Sequence, residues 1–272
     1  MKKISIKKLD EYIYYDECKN GLKVYMWVND NLNSFYATLS VKYGSIYDKY
    51  LINKKEYKVK NGVAHFLEHL KFNEKNNKTA HDYFNKLGSD TNAFTTFKYT
   101  NYQVFGNDNV IKNVMHLLDF VQTPVFSKKD VENEKGIIVE EAKMTDDDAY
   151  TSMLYKGFNN MFNNSSYSNL ITGTPKEVKE INLNDIKTTY NSFYNPKNMF
   201  LVVTGKFDPK ELMSAINDNQ NSKKFDKYLN PIRVVAKEDA KVKKEKETIY
   251  MNVTNRKIQI GVKINKNIFK GY

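Results

Sequence analysis

The sequence predicts an α+β fold in which helices pack on one face of a mixed sheet. Runs rich in aromatic and β-branched residues open the chain, as expected of strands. Apolar residues then recur with helical spacing through the middle, and strand character returns near residue 200. Strands that precede a block of helices, rather than alternating with them, favour the α+β class.

The first strands are predicted at 11–28 and 34–43. The earlier stretch predicts a hairpin with its turn at Asn20-Gly21, because both residues tolerate a positive φ. The later stretch, Ser-Phe-Tyr-Ala-Thr-Leu-Ser-Val-Lys-Tyr, has the composition of a third strand.

The period then changes to that of helices. A helix is predicted over 63–72, after Asn61-Gly62, and another over 79–87, with Thr79 as N-cap and Gly88 as its end. Two strands are predicted within 92–105. The remaining predicted elements are helices over 110–121, 127–144, 149–162 and 184–194, and a strand over 200–204.

The chain is predicted to divide into three parts. A domain over 1–218 precedes a charged linker over 219–248, whose Lys/Glu run at 237–247 is typical of a solvated segment. Strands predicted at 249–253 and 257–264 would open a second, incomplete domain over 249–272.

The net charge of +11 raises the question of a nucleic-acid partner. Only Arg233 and Arg256 are arginine, and every other basic residue is lysine, which cannot make arginine's bidentate contacts with bases and phosphates. No nucleic-acid motif or basic-aromatic pattern accompanies the charge. We therefore expect no nucleic-acid partner.

The sequence predicts a cytoplasmic protein. No apolar run approaches the roughly 18 residues that a membrane span needs. Residues 1–10 are basic but lack the apolar core of a secretory signal, and Cys18 is the only cysteine. A lone cysteine fits a reducing compartment.

The stretch that carries chemistry is His65-Phe66-Leu67-Glu68-His69. On a helix, residues i and i+4 share a face, so both imidazoles can reach one metal ion. Glu68 lies beside them, where it can act on a water at the metal. The pattern is H-x-x-E-H, the inverse of the common zinc-protease order.

A catalytic zinc usually has a third protein ligand from another element. The predicted 127–144 helix carries four glutamates: Glu132, Glu134, Glu140 and Glu141. Glu134 and Glu141 are seven residues apart, two helical turns, and share a face. Two carboxylates on an inward face are costly unless they are paired or ligate a metal. One carboxylate as a ligand and the other as a partner to a histidine would satisfy both.

His65 to His69, followed by Glu134-Lys-Gly-Ile-Ile-Val-Glu-Glu141, resembles the pitrilysin/insulinase family of zinc metallopeptidases. The resemblance implies a mostly antiparallel sheet and one zinc ion. It also implies that His65, His69 and Glu141 are ligands, Glu68 the general base and Glu134 a supporting carboxylate. Glu140 is the rival third ligand, and the seven-residue spacing favours Glu141.

The stretch Asn92-Ala93-Phe94-Thr95 resembles the family's substrate strand, to which an extended peptide adds as a further strand. Gly173-Thr-Pro, Tyr194-Asn-Pro and Val202-Val-Thr-Gly resemble later family landmarks, so the resemblance covers about residues 10 to 215. It implies hydrolysis of peptides or small unfolded polypeptides.

Active family members have a second homologous half that closes over the site, and this chain stops as that half begins. We therefore expect a second half or partner subunit, whether the chain is a fragment, a split subunit or a truncated product. The alternative is a non-catalytic peptide-binding or assembly subunit of the same family, although such subunits commonly lose the zinc ligands that are intact here.

Overall fold

A computed structural model describes residues 1–74 and 78–264. Its ten strands in the described residues, in chain order, are β1 (Lys2–Ile6), β2 (Glu11–Glu17), β3 (Lys23–Val28), β4 (Phe35–Val41), β5 (Lys49–Ile52), β6 (Lys55–Lys58), β7 (Asp90–Thr95), β8 (Thr100–Gly106), β9 (Met199–Gly205) and β10 (Ile232–Arg233). The α-helices there are α1 (Val63–Lys71), α2 (Ala80–Lys86), α3 (Val110–Gln122), α4 (Lys128–Asp147), α5 (Ala149–Met161), α6 (Pro175–Glu180), α7 (Leu183–Phe193) and α8 (Pro209–Ser222).

The main sheet has seven strands in the order β1-β2-β3-β9-β4-β8-β7, and β10-β5-β6 form a smaller sheet. Within the main sheet only β3 and β9 are parallel, and every other neighbouring pair is antiparallel. The predicted α+β fold with a mixed, mostly antiparallel sheet is confirmed.

The core lies between this sheet and the helices. Along β4, Ala37, Leu39 and Val41 are buried, and in β8 they pair with Val104, Tyr102 and Thr100. Helix α1 packs against β7 and β8 on one side and against α4 and α7 on the other. The helix that carries the H-x-x-E-H stretch is therefore fixed at the β7 end of the sheet.

The predicted hairpin at 11–28 is present, but its turn is wider than the Asn20-Gly21 pair implies. The connection from β2 to β3 runs over 18–22, with hydrogen bonds from the Cys18 N–H to the Leu22 carbonyl and from the Gly21 N–H to the Cys18 carbonyl. Gly21 has a φ of +90°, while the Asn20 side chain accepts the Leu22 N–H at 3.2 Å. Asn20 thus stabilises the turn through its side chain.

The prediction of strands at 249–253 and 257–264 is wrong. Residues 249–264 form no strand, and the remainder of the predicted second domain, 265–272, lies outside the described residues. The stretch around Gln259 crosses α5 so closely that a Cβ on Gly157 would lie 2.4 Å from the Gln259 side chain. Alternating apolar residues favour a strand only where a neighbouring strand can pair with them.

The charged run over 237–247 is neither helix nor strand. Among the described residues, no helix combines the length and apolar character that crossing a membrane requires.

Candidate metal centre

Helix α1 begins where only glycine fits. Gly62 has a φ of +86°, a backbone conformation that residues with a side chain rarely adopt. A Cβ there would also lie 2.6 Å from the Thr172 carbonyl oxygen. The Phe66 N–H donates to the Gly62 carbonyl to close the first turn. The apolar side chains of Val63, Phe66 and Leu70 are fully buried and hold the helix against the core.

Helix α4 begins at Ser127 with a capping box shared with Asp130. Ile138 and Ala142 are fully buried. The same helix brings Glu134 and Glu141, two turns apart, to the histidines of α1.

The two helices bring His65, His69 and Glu141 together. One ligand atom from each lies within 4.8 Å of the others. Nε2 of His65 is 3.4 Å from Oε1 of Glu141, and Nε2 of His69 is 3.4 Å from Oε2 of Glu141. His65 is buried, whereas Glu141 is partly exposed.

These separations suit ligands of one ion. Four ligands at the 2.0–2.1 Å zinc bond length, arranged tetrahedrally, would lie about 3.4 Å apart. Two imidazole nitrogens and a carboxylate oxygen are also a donor set that catalytic zinc uses, with a fourth position open. The donor set and its spacing therefore fit a zinc ion.

Glu134 orients His69. Its Oε1 lies 2.9 Å from His69 Nδ1, so the carboxylate can accept a hydrogen bond from the Nδ1–H, which leaves the Nε2 lone pair available to a metal. Burial acts to lower the pKa of His69, but the facing carboxylates of Glu134 and Glu141 outweigh it and raise that pKa to about 9. Without metal the imidazole is therefore cationic near neutral pH, with both nitrogens protonated, and metal binding would displace the Nε2 proton.

Glu141, rather than Glu140, faces the histidines. The imidazoles of His65 and His69 hold the pKa of Glu141 well below its usual range, so it is ionised. The Glu140 side chain is 69% exposed and pairs with Lys143 at 2.6 Å. The rival ligand thus points away from the cluster.

Glu68 is buried beside the cluster, with 8% of its surface exposed. Burial raises the pKa of its carboxyl, while His65 and then a hydrogen bond from Thr95 act in the opposite direction. A carboxyl whose pKa is raised in this way is better matched to accepting a proton near neutral pH.

The predicted substrate strand is β7, at one edge of the main sheet. It pairs with β8, and no described strand pairs with its other side. Asn92 and Phe94 are exposed, whereas Ala93 and Thr95 are half-buried. Because side chains alternate along a strand, Ala93 lies on the same face as Thr95, which contacts Glu68.

The sequence did not indicate two features around these residues. The first is the hydrogen bond between Thr95 and Glu68, which joins a strand to a helix 27 residues earlier. The second is Lys71, which is buried at the end of α1 and donates to the Thr123 carbonyl, with its ammonium 5.1 Å from the ring centroids of Phe126 and Tyr190. Burial lowers the pKa of Lys71 to about 7.

We expect Glu134→Gln to weaken zinc binding about 10- to 100-fold without abolishing it, the range usual for a group that orients a ligating histidine. The amide cannot supply the negative charge that now faces His69. Zinc affinity can be measured by competition with a chromogenic chelator. Glu132→Gln is the matched control, because Glu132 lies on the same helix, is 54% exposed and pairs with Lys135. Equal affinities for the two variants would contradict the role of Glu134.

The α+β fold, the H-x-x-E-H helix and the carboxylates of α4 together define the class of inverted-motif metallopeptidase domains. The comparisons with known proteins agree with this class. The sequence profile of the insulinase family, peptidase family M16, matches residues 26–175, and the profile described as the peptidase M16 inactive domain matches residues 180–266. The chain belongs to the insulinase family of peptidases.

Several relatives are named as proteases. The chain is 36% identical to the uncharacterized zinc protease YmfH of Bacillus subtilis, over 99% of this chain and 63% of YmfH. It is 27% identical to an uncharacterized zinc protease of Rickettsia bellii, over 75% of this chain and 49% of that protein.

A solved structure described as an M16-like peptidase, from Alicyclobacillus acidocaldarius, superposes with a TM-score of 0.83 at 30% identity. That superposition covers 86% of this chain and 55% of the other. The chain thus spans about half to two thirds of the length of these relatives.

Proposed function

We propose that the chain is the zinc-binding part of an endopeptidase that hydrolyses peptides or small unfolded polypeptides. The observation that carries the proposal is the convergence of His65, His69 and Glu141 within 4.8 Å, beside the buried carboxyl of Glu68. The similarity of the chain to relatives named zinc proteases supports it.

In this proposal His65, His69 and Glu141 hold a single zinc ion, and Glu134 keeps His69 in the tautomer that binds it. A zinc ion held by these residues would supply Lewis-acid chemistry, polarising the scissile carbonyl and lowering the pKa of a water molecule. Glu68 removes a proton from the attacking water and delivers it to the leaving amine nitrogen.

The peptide substrate would lie extended along β7, at Asn92 to Thr95. No described strand pairs with the outer side of β7, so a peptide could add there as a further strand, displacing the Asn92 side-chain oxygen that now accepts the Ala93 N–H at 2.8 Å. Recognition through backbone groups suits a protease that accepts varied sequences.

We also propose that a second homologous half or partner subunit completes the site. The chain spans 63% of YmfH and 55% of the Alicyclobacillus structure, so the remaining part of such proteins has no counterpart in it. In the segment over 257–264, Ile258, Ile260 and Val262 are 85%, 86% and 72% exposed, and a partner could cover these apolar side chains. The proposed division remains a catalytic domain over 1–218, a linker over 219–248 and the start of a second domain over 249–272.

A cytoplasmic setting is part of the proposal. The lone Cys18 is buried, and burial raises its pKa to about 11, which keeps the thiol protonated and inert. Such a cysteine requires no oxidising compartment.

The proposal is tested by incubating quenched fluorescent peptides with the zinc-loaded chain, alone and mixed with a polypeptide corresponding to the part of YmfH that this chain does not cover. We expect cleavage to appear or rise strongly in the mixture and to be lost on zinc chelation. Peptide binding without cleavage under every condition would contradict an endopeptidase and favour a non-catalytic peptide-binding subunit.

A further inference from the structure

One side chain of the edge strand touches the carboxyl of Glu68. The Thr95 hydroxyl donates to Oε2 of Glu68 at 2.5 Å. The Thr95 side chain is half-buried, and Glu68 is almost wholly buried. A hydrogen bond to a carboxylate in such surroundings is stronger and more directional than one in water.

Thr95 is the last residue of β7, and its position is fixed by a tight hairpin. It pairs in register with Thr100, the first residue of β8. The Thr96 N–H donates to the Tyr99 carbonyl at 2.8 Å, and the Thr96 hydroxyl oxygen accepts the N–H groups of Lys98 and Tyr99. The turn that follows Thr95 is thus held by its own hydrogen bonds.

The hairpin is also anchored to the rest of the domain. The Ser45 N–H donates to the Thr96 carbonyl, and the Ile46 N–H donates to the Phe97 carbonyl, both at 3.1 Å. A Cβ on Gly44 would lie 2.4 Å from the Thr96 carbonyl oxygen, so the two backbones meet directly. The Thr95 hydroxyl therefore approaches Glu68 from a rigid support.

The hydroxyls of Thr100, Tyr102 and Tyr194 have other partners. The Thr100 hydroxyl lies 3.3 Å from that of Thr95 and donates to the Tyr43 carbonyl at 3.1 Å. The hydroxyls of Tyr102 and Tyr194 form a hydrogen bond with each other at 2.8 Å, deep in the core. Glu68 is thus the acceptor that the Thr95 proton reaches at the shortest distance.

We infer that Thr95 is a positioning residue that orients the Glu68 carboxylate for proton transfer, an inference that rests on the proposed peptidase function. Thr95 holds Oε2 and keeps its own proton. Oε1 is then free to accept a proton from the water whose oxygen bonds to the scissile carbon. The C–N bond breaks as that proton passes to the leaving amine nitrogen, and the Glu68 carboxylate is regenerated.

The same strand would thus bind the substrate through its backbone and orient the general base through a side chain. Because Thr95 sits at the end of the β7 edge, a peptide paired with that edge and the Glu68 carboxylate share one rigid support. Misplacement of a catalytic group by about 1 Å can cost about 100-fold in rate.

The experiment compares Thr95→Val, Thr95→Ser and Thr91→Val in the zinc-loaded chain assembled with its second half. Valine preserves the shape of threonine and removes the hydroxyl, whereas serine keeps it. Thr91 is the matched control, since it lies four residues earlier on the same face of β7. Its hydroxyl donates to the Gln103 carbonyl and not to Glu68.

We expect Thr95→Val to lower kcat about 10- to 100-fold, with KM and zinc content unchanged. Thr95→Ser should recover most of the rate, and Thr91→Val should stay within about twofold of the unsubstituted chain, because its hydroxyl does not reach the base. An unchanged kcat in Thr95→Val, or an equal loss in Thr91→Val, would overturn the inference.

Crystal structures of the unsubstituted chain and Thr95→Val separate this inference from the proposed function. If the Glu68 carboxylate keeps one rotamer in the former and rotates or becomes disordered in the latter, Thr95 orients it whether or not peptides are cleaved. An unmoved Glu68 in Thr95→Val would overturn the positioning role, even if the chain proves to be an active peptidase.

Discussion

Glu68→Gln is expected to lower peptide cleavage by a factor on the order of 10²–10⁴ while the folded protein keeps its zinc. Glutamine matches glutamate in shape, and its amide oxygen can still accept the hydrogen bond from Thr95. It cannot accept a proton from water, because the amide is not basic. Only the proton transfer should therefore be lost.

The measurement pairs initial cleavage rates with zinc content by plasma mass spectrometry on the same preparations. Glu56→Gln, on the surface strand β6 and exposed, is the control for a charge change of the same size. Loss of zinc together with activity in Glu68→Gln would contradict the role of general base and make Glu68 part of the metal-binding set.

Glu141→Gln is expected to weaken zinc binding more than about 100-fold, beyond the range typical of groups that only orient a ligand. The substitution removes the anionic oxygens that lie 3.4 Å from both His65 Nε2 and His69 Nε2. An amide oxygen is a poorer zinc ligand than a carboxylate. Activity should fall with the zinc content.

The adjacent residue offers a matched control. Glu140 lies on the same turn of α4 but pairs with Lys143 in solvent, so Glu140→Gln should leave zinc affinity and cleavage unchanged. If Glu140→Gln loses the metal and Glu141→Gln retains it, the third ligand is assigned to the wrong residue.

Local periodicity was enough to predict the helices and the side chains that share a helix face. The i, i+4 spacing of His65 and His69 and the seven-residue spacing of Glu134 and Glu141 each place side chains on one helix face. The capping boxes at Thr79 and Ser127 likewise fix the helix starts where the sequence predicts them.

Contacts between distant segments could not be reached in this way. Strand β9 lies between β3 and β4, parallel to one and antiparallel to the other, and nothing in its composition indicates that place. The hydrogen bond from Thr95 to Glu68 depends on how β7 packs on α1. The alternation of Ile258, Ile260 and Val262 predicted a strand, but the segment lies over α5 without a strand beside it in the described residues.

Anomalous diffraction at the zinc absorption edge, from crystals of the zinc-loaded chain, will show whether His65, His69 and Glu141 hold a zinc ion. We expect one strong peak within about 2.0–2.2 Å of Nε2 of His65, Nε2 of His69 and a carboxylate oxygen of Glu141. A peak at other residues, or properly folded protein that takes up no zinc, would contradict it.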